Sequence, residues 1–288
     1  MARLMNPDGR QMYSRPGRPG TGERGRAMLI LGGVGVLLLG LILAVIMSLT
    51  GMFAGSETTG TRPSADPMLS SPGLGPSAGS GPQAEAALAQ APMQQLPVSA
   101  VSPRTLSTRS AGPPIALPQP EQVTGALVPT GFPATEAGAL AQLLELMKVG
   151  MADADPQTWA RAYDSLAEPG ALPAAQTRTS QDLVDLRRGS NMNPTGPLRS
   201  GMRISWAPTS VMVKGTTDDG TYTVACALGE LVADNDGRVV SFGWGNCLPM
   251  RRVGDQWRIA SGPTAATAPS AWPGSDEAVS AGWRDITR

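Results

Sequence analysis

Histidine is absent from the 288 residues, lysine occurs only as Lys148 and Lys214, and cysteine only as Cys226 and Cys247. Without histidine the chain lacks the commonest metal ligand and the side chain best suited to proton transfer near neutral pH. Two cysteines cannot build a structural zinc site by themselves. Net charge is zero, and residues 136–262 carry 14 acidic against 12 basic side chains. That stretch therefore lacks the basic excess of a nucleic-acid binder. Residues 75–79 match Gly-x-Ser-x-Gly, but no histidine exists to activate Ser77 and the surrounding tract lacks the strand and helix the motif requires. Asp153, Asp155 and Asp164 read as a helix cap and solvent-facing acids. No catalytic residue, metal or cofactor is expected.

One long uncharged apolar run is present, over residues 27–49. At about 1.5 Å per residue it would make a helix of roughly 35 Å, enough for a hydrocarbon core of about 30 Å. Arg3, Arg10, Arg15, Arg18, Arg24 and Arg26 precede it, so the positive-inside bias predicts a cytoplasmic N-terminus. A cleavable signal peptide fits less well, because the run exceeds the usual apolar length and no Ala-x-Ala-like site follows. Gly40, Ala44 and Ser48 recur every four residues, a spacing that would let a second helix backbone approach closely.

Beyond the run, residues 51–133 are rich in Pro, Gly, Ser and Ala and poor in bulky apolar side chains. That composition predicts a disordered linker, with at most a short helix within residues 85–96. The expected organisation is a basic cytoplasmic tail (1–26), a transmembrane helix (27–49), a linker (50–134), an extracytoplasmic α+β domain (135–262) and a C-terminal tail with a short helix (263–288).

Within the outer domain, Thr135 can cap a helix whose Leu140, Leu143, Leu144, Met147 and Met151 form one stripe. Asp155 followed by Pro156 signals the start of a second helix, presenting Trp159, Ala160, Tyr163 and Leu166. Thr179 or Ser180 should start a third, ending at Gly189. Period-two segments follow near 202–213, 221–233, 238–250 and 256–260. Asp219-Gly220 and Asp236-Gly237 suit type I′ hairpins and Gly254-Asp255 a type II′ one, which predicts an antiparallel meander.

If Asp236-Gly237 occupies the turn, Asn235 faces Arg238, and counting outward places Cys226 opposite Cys247 in a non-hydrogen-bonded pair. Cα atoms there approach to about 4.5 Å, within disulfide range. A bridge is expected if the domain lies in an oxidising compartment. A glycine bulge at Gly229, Gly243 or Gly245 would shift the register and separate them.

Trp159, Tyr163, Trp206 and Trp257 are candidates either for the core or for an apolar pocket between helices and sheet. In the tail, Ser275 can cap a short helix. Trp272 and Trp283 either dock on their own domain or anchor a partner.

Three helices followed by a four-stranded antiparallel meander, ending in residues 254–259, resemble the curved nuclear transport factor 2-like cone. Behind a basic tail, an apolar span and a linker, that order is similar to the bitopic membrane subunits of type IV secretion and conjugation machines, although the linker here is longer. The resemblance implies a non-enzymatic scaffold in the plasma membrane that forms homo-oligomers and contacts other envelope-complex subunits. An accessory subunit of a lipid or small-molecule importer, holding an apolar ligand in the cone, is the alternative. An extracytoplasmic enzyme using a buried Asp as base ranks behind both.

Overall fold

The structure is a computed structural model and describes residues 79–287. In chain order the elements are α1 (Pro82–Gln90), β1 (Ile115–Ala116), α2 (Glu136–Gly150), α3 (Pro156–Leu166), α4 (Arg178–Gly189), β2 (Met202–Thr217), β3 (Tyr222–Asn235), β4 (Arg238–Val253), β5 (Gln256–Ile259), α5 (Asp276–Ser280) and β6 (Arg284–Thr287).

The helix starts are set locally. Thr135 Oγ1 accepts from the Gly138 N–H at 3.1 Å, and Asp155 Oδ1 accepts from Gln157 N–H at 3.2 Å with Pro156 in the first turn. Each oxygen satisfies a donor that the helix leaves without an internal partner. The third helix begins earlier than Thr179: Thr177 is its cap, accepting from Ser180 N–H at 3.2 Å.

The sheet corrects the expected fold. It has six strands in the order β1-β6-β2-β3-β4-β5, and β1 pairs with β6 in parallel, so it is mixed where four antiparallel strands were expected. The meander β2-β3-β4-β5 survives inside it. β6 enters from the tail and pairs with β2 at Ser210 and Val211 only. Among the described residues no helix is long and apolar enough to cross a membrane, so the single transmembrane helix gains no support. Residues 27–49, and with them Gly40, Ala44 and Ser48, lie outside the described residues.

Two hairpin turns have the geometry their residues demand. Asp236 (φ 52°) and Gly237 (φ 84°) both sit at positive φ, as type I′ requires, while at the β4–β5 turn Gly254 does and Asp255 does not, as in type II′. Asp219-Gly220 departs from the expected two-residue turn. Thr217 pairs with Tyr222, leaving a four-residue connection with positive φ at Asp218, Asp219 and Gly220.

Both sheet faces are covered. On one, α2, α3 and α4 bury Leu140, Leu143, Met147, Trp159, Leu166 and Leu183 against Ile204, Ala225, Leu231, Met250 and Ile259. On the other, Tyr222, Val224, Cys226, Leu228 and Cys247 lie beneath Ala89, Ala100, Ala268, Ala271, Ala278 and Trp283. The alternation of β3 residues between these two sets is the strand's period of two. The second layer comes from the stretch expected as a linker and from the C-terminal tail. These segments run side by side: Ala266 N–H donates to Ala89 O, Trp272 N–H to Ala100 O and Ser107 N–H to Gly274 O, at 2.7–2.8 Å. Within 79–134, then, the Pro/Gly/Ala-rich chain is folded against the sheet. Both segments approach the sheet closely: a Cβ on Gly215 of β2 would lie 2.7 Å from Leu88 Cδ1, and one on Gly243 of β4 would lie 1.7 Å from the Ala271 carbonyl oxygen of the tail.

Candidate functional site

The four aromatic residues offered for core or pocket are all buried, and each of the three indole N–H groups has an acceptor. Trp159 crosses Gly150 of α2, where a Cβ would come within 2.7 Å of the ring. Its Nε1–H donates to Thr177 Oγ1 at 2.9 Å, and that hydroxyl donates in turn to Ala174 O at 2.7 Å. Tyr163 sits 5.7 Å from the Trp159 ring, and burial followed by the neighbouring Asp164 pushes its hydroxyl up to about 12. Trp206 donates to Trp244 O at 3.2 Å and fills the space left by Gly229. Trp257 donates to Pro133 O at 2.8 Å, with the Arg252 guanidinium 5.9 Å above its ring. These contacts place the quartet in the packed core. Two concavities lie elsewhere, one lined by Leu117, Pro118, Ala141 and Glu145 and one a surface hollow over residues 121–126.

On the opposite face Cys226 and Cys247 form a disulfide, with S–S 2.03 Å and Cα–Cα 4.1 Å. The β3–β4 register is continuous from Asn235↔Arg238 to Tyr222↔Arg251, so none of Gly229, Gly243 and Gly245 forms a bulge between them. The bridge is covered, with Met93 Sδ 3.7 Å from Cys247 Sγ. Trp283 is buried in the same cluster and donates to Pro269 O at 2.9 Å. Trp272 is half-buried in the tail. The tail therefore docks on its own domain and uses Trp283 there, with Ser275 capping α5 as expected.

A charged cluster not foreseen from the sequence clamps α1. Asp218 Oδ1 accepts from Gly81 N–H, at the amino end of α1, at 2.6 Å. Lys214 Nζ donates to Ala89 O at 2.8 Å and also to Ala91 O, at the carboxyl end. An acid before a helix and a cation after it both complement the helix dipole. Arg251 bonds Glu85 of α1 at 2.6 Å, also pairs with Glu168, and lies 5.5 Å over the Tyr222 ring. The Gly81 N–H and the Thr217 hydroxyl hold the Asp218 carboxyl below the usual aspartate range, and burial draws Lys214 down. Burial and the charge of Glu85 push Tyr222 up to about 12.

Sequence reasoning also missed Arg187, whose side chain is wholly buried in α4 and donates to backbone carbonyls of Ala154, Asn193, Asp153 and Gly196 at 2.8–3.0 Å. Asp155 completes the arrangement by accepting from Gly196 N–H at 3.2 Å, so the loop after α4 is pinned from both sides. A positional cue was available only in retrospect, as one arginine of the Arg187-Arg188 pair on an otherwise polar helix.

No family model matches the chain, and no curated protein or solved structure is significantly similar to it. Among the described residues no group of three or more His, Cys, Asp or Glu could hold a metal ion. The carboxylates brought together, Glu85, Glu168 and Asp218, are engaged by Arg251 and by backbone N–H groups, which is the chemistry of a structural clamp.

Proposed function

We propose that this protein is a non-enzymatic scaffold subunit of an envelope complex for conjugative, type IV secretion-like DNA transfer, with its folded domain on the extracytoplasmic side of the plasma membrane. It acts through contacts with other subunits of the complex and with further copies of itself. The reading is carried by the packing of Trp159, Tyr163, Trp206 and Trp257, which fill the space between helices and sheet that a ligand would have needed. That packing removes the main support for the importer alternative. The Cys226–Cys247 bridge favours an oxidising compartment, because cytosolic thiols are kept reduced.

Crosslinking in cells followed by affinity purification of the full-length chain tests the assignment. Recovery of a conjugation ATPase or of channel subunits is the expected result. Recovery of lipid-import subunits instead, or digestion-resistance of the domain when protease is added to intact cells, would overturn it.

A further inference from the structure

The two long edges of the meander are treated differently. The outer edge of β2 carries Pro208 and an exposed Arg203, and its register breaks between Pro208 and Ser210 and again between Val213 and Gly215. Proline, charge and bulges are the means by which edges are kept from pairing with other chains. The outer edge of β4 is covered by β5 from Met250 to Val253 and used by the tail at Gly245, whose N–H donates to Ser270 Oγ at 3.0 Å. Over residues 238–242 no strand or tail segment among the described residues pairs with it. Val239 and Val240 are 61% and 55% exposed, and Ser241 and Phe242 follow with no charge, proline or bulge.

The register fixes which backbone groups are free. Asn235↔Arg238 closes a two-residue turn and is a hydrogen-bonded pair, so Val239 and Ser241 are non-hydrogen-bonded to β3 and point their N–H and C=O outward. Among the described residues neither outward group has a backbone partner. The pattern is consistent further along, where Pro249, of the same parity, accepts from Ala260 N–H at 2.9 Å.

We infer that the β4 edge over residues 238–242 is a self-association site, where a second copy of the chain pairs antiparallel about a twofold axis at Val240. This inference rests on the reading of the domain as an assembly module, and it names one of that module's partners. Val240 then faces Val240 of the second copy, Val239 faces Ser241, and Arg238 faces Phe242. The outward groups of Val239 and Ser241 supply about four backbone hydrogen bonds across the axis, as a hydrogen-bonded antiparallel pair on each side requires.

Three features favour a second copy over a foreign strand. The only charge in the window, Arg238, meets an aromatic ring and never its own kind. Val239 and Val240 lie on opposite faces of the sheet, so both exposed side chains are covered at once. The tail crosses β4 at Gly243, which bounds the window on one side, while the Asp236-Gly237 turn bounds it on the other. An identical hairpin ends at its own turn where the tail crosses; a longer strand would run on into it. So short a contact lies at the weak end of specific interfaces, suited to copies already held close together.

Cysteine crosslinking of the full-length chain tests this. Residue 240 would lie in a non-hydrogen-bonded pair across the axis, with Cα atoms about 4.5 Å apart, inside disulfide range. Val240→Cys is expected to give a covalent dimer under mild oxidation in about tenfold greater yield than Val253→Cys, an exposed position outside the window, because separations beyond about 7 Å do not bridge. Adding Ser241→Pro, which removes an N–H that β3 does not use, should abolish the dimer. Intact Cys226–Cys247 and unchanged tryptophan fluorescence establish that each variant is folded. Equal yields at 240 and 253, or crosslinking of Val240→Cys to a different protein only, overturns the inference. Loss of the dimer with channel subunits still recovered separates this failure from failure of the scaffold assignment.

Discussion

Replacing Arg187 with methionine tests what holds the α4–β2 connection. The guanidinium is fully buried and among the described residues no carboxylate pairs with it; its partners are carbonyl oxygens of Ala154, Asn193, Asp153 and Gly196. Two effects oppose each other. Removing an unpaired buried cation recovers its desolvation penalty, several kcal/mol after relaxation. Against this, hydrogen bonds to a charged group contribute about 1.5–3 kcal/mol each, so the four together are worth roughly 6–12 kcal/mol.

The carbonyls cannot be removed along with the arginine, and their positions decide the balance. Asn193 is exposed and Gly196 half-exposed, so their carbonyls find water, whereas Ala154 is fully buried. Asp153 and Ala154 also sit at φ 57° and 50°, a left-handed conformation that two of the four bonds hold in place. We expect a net loss of about 3–5 kcal/mol for Arg187→Met, the range for breaking a buried charged contact. Arg187→Lys should lose about 2 kcal/mol, since one ammonium cannot reach carbonyls spread over a planar fork. Urea unfolding with the disulfide intact reads both values from the midpoint at unchanged slope. A loss below about 1 kcal/mol for Arg187→Met, or a lysine variant as stable as the parent, would refute the assignment of Arg187 as the pin of this loop.

Three further outcomes follow from the second layer and its staple. Cys226→Ala with Cys247→Ala opens a loop of 21 residues' separation and should cost about 3 kcal/mol in the same urea assay. Gly243→Ala drives a methyl into the Ala271 carbonyl and should displace the tail at a cost of about 1–3 kcal/mol, read as faster hydrogen exchange at the Trp283 indole N–H. Because the folded Asp218 carboxyl titrates below its unfolded value, its contribution is present above that unfolded value and is lost as pH falls through the folded one. Melting temperature should therefore drop on acidification below the ordinary aspartate value of about 3.9, and Asp218→Asn should flatten that limb; an unaltered limb would count against the Gly81 contact.

Elements governed by local rules were legible. Thr135, Asp155 with Pro156, and Ser275 start helices where capping chemistry puts them, and the Asp236-Gly237 turn carried the register across nine positions to Cys226 and Cys247. Most of the second layer was not legible, because apart from Trp283 its buried side chains are Ala89, Ala100, Ala268, Ala271 and Ala278, and small residues in Pro-rich chain give no period to detect. The composition argument for a linker counted bulky side chains. It missed that this stretch pairs through its backbone, Ala89 O and Ala100 O accepting from the Ala266 and Trp272 N–H groups, while the tail's own alanines pass directly over Gly243 and Gly245 with almost no side chain at all. For Trp159, Tyr163, Trp206 and Trp257 the residues alone left core and pocket open, because burial depends on packing the sequence does not show; the three indole N–H groups each have an acceptor within the core.

The two layers are attached by different forces. The α2–α4 layer buries leucines, methionines and tryptophans, and area removed from water is sufficient to hold it. Helix α1 buries Ala89 fully and Leu88 only in part, against Gly215, an area too small to fix a nine-residue helix that would be marginal alone. Its position is specified by charge: Asp218 at one end, Lys214 at the other, and Glu85 on Arg251 between them. All three anchors come from the end of the meander where β5 closes the β4 edge and the 218–221 turn sits. Among the described residues, the opposite end, at the Asp236-Gly237 turn, has neither an apolar layer over Val239 and Val240 nor a charged clamp. The fold thus concentrates its fastenings at one end of the long strands and leaves backbone donors and acceptors unpaired at the other, where pairing with a neighbour needs no rearrangement of either layer.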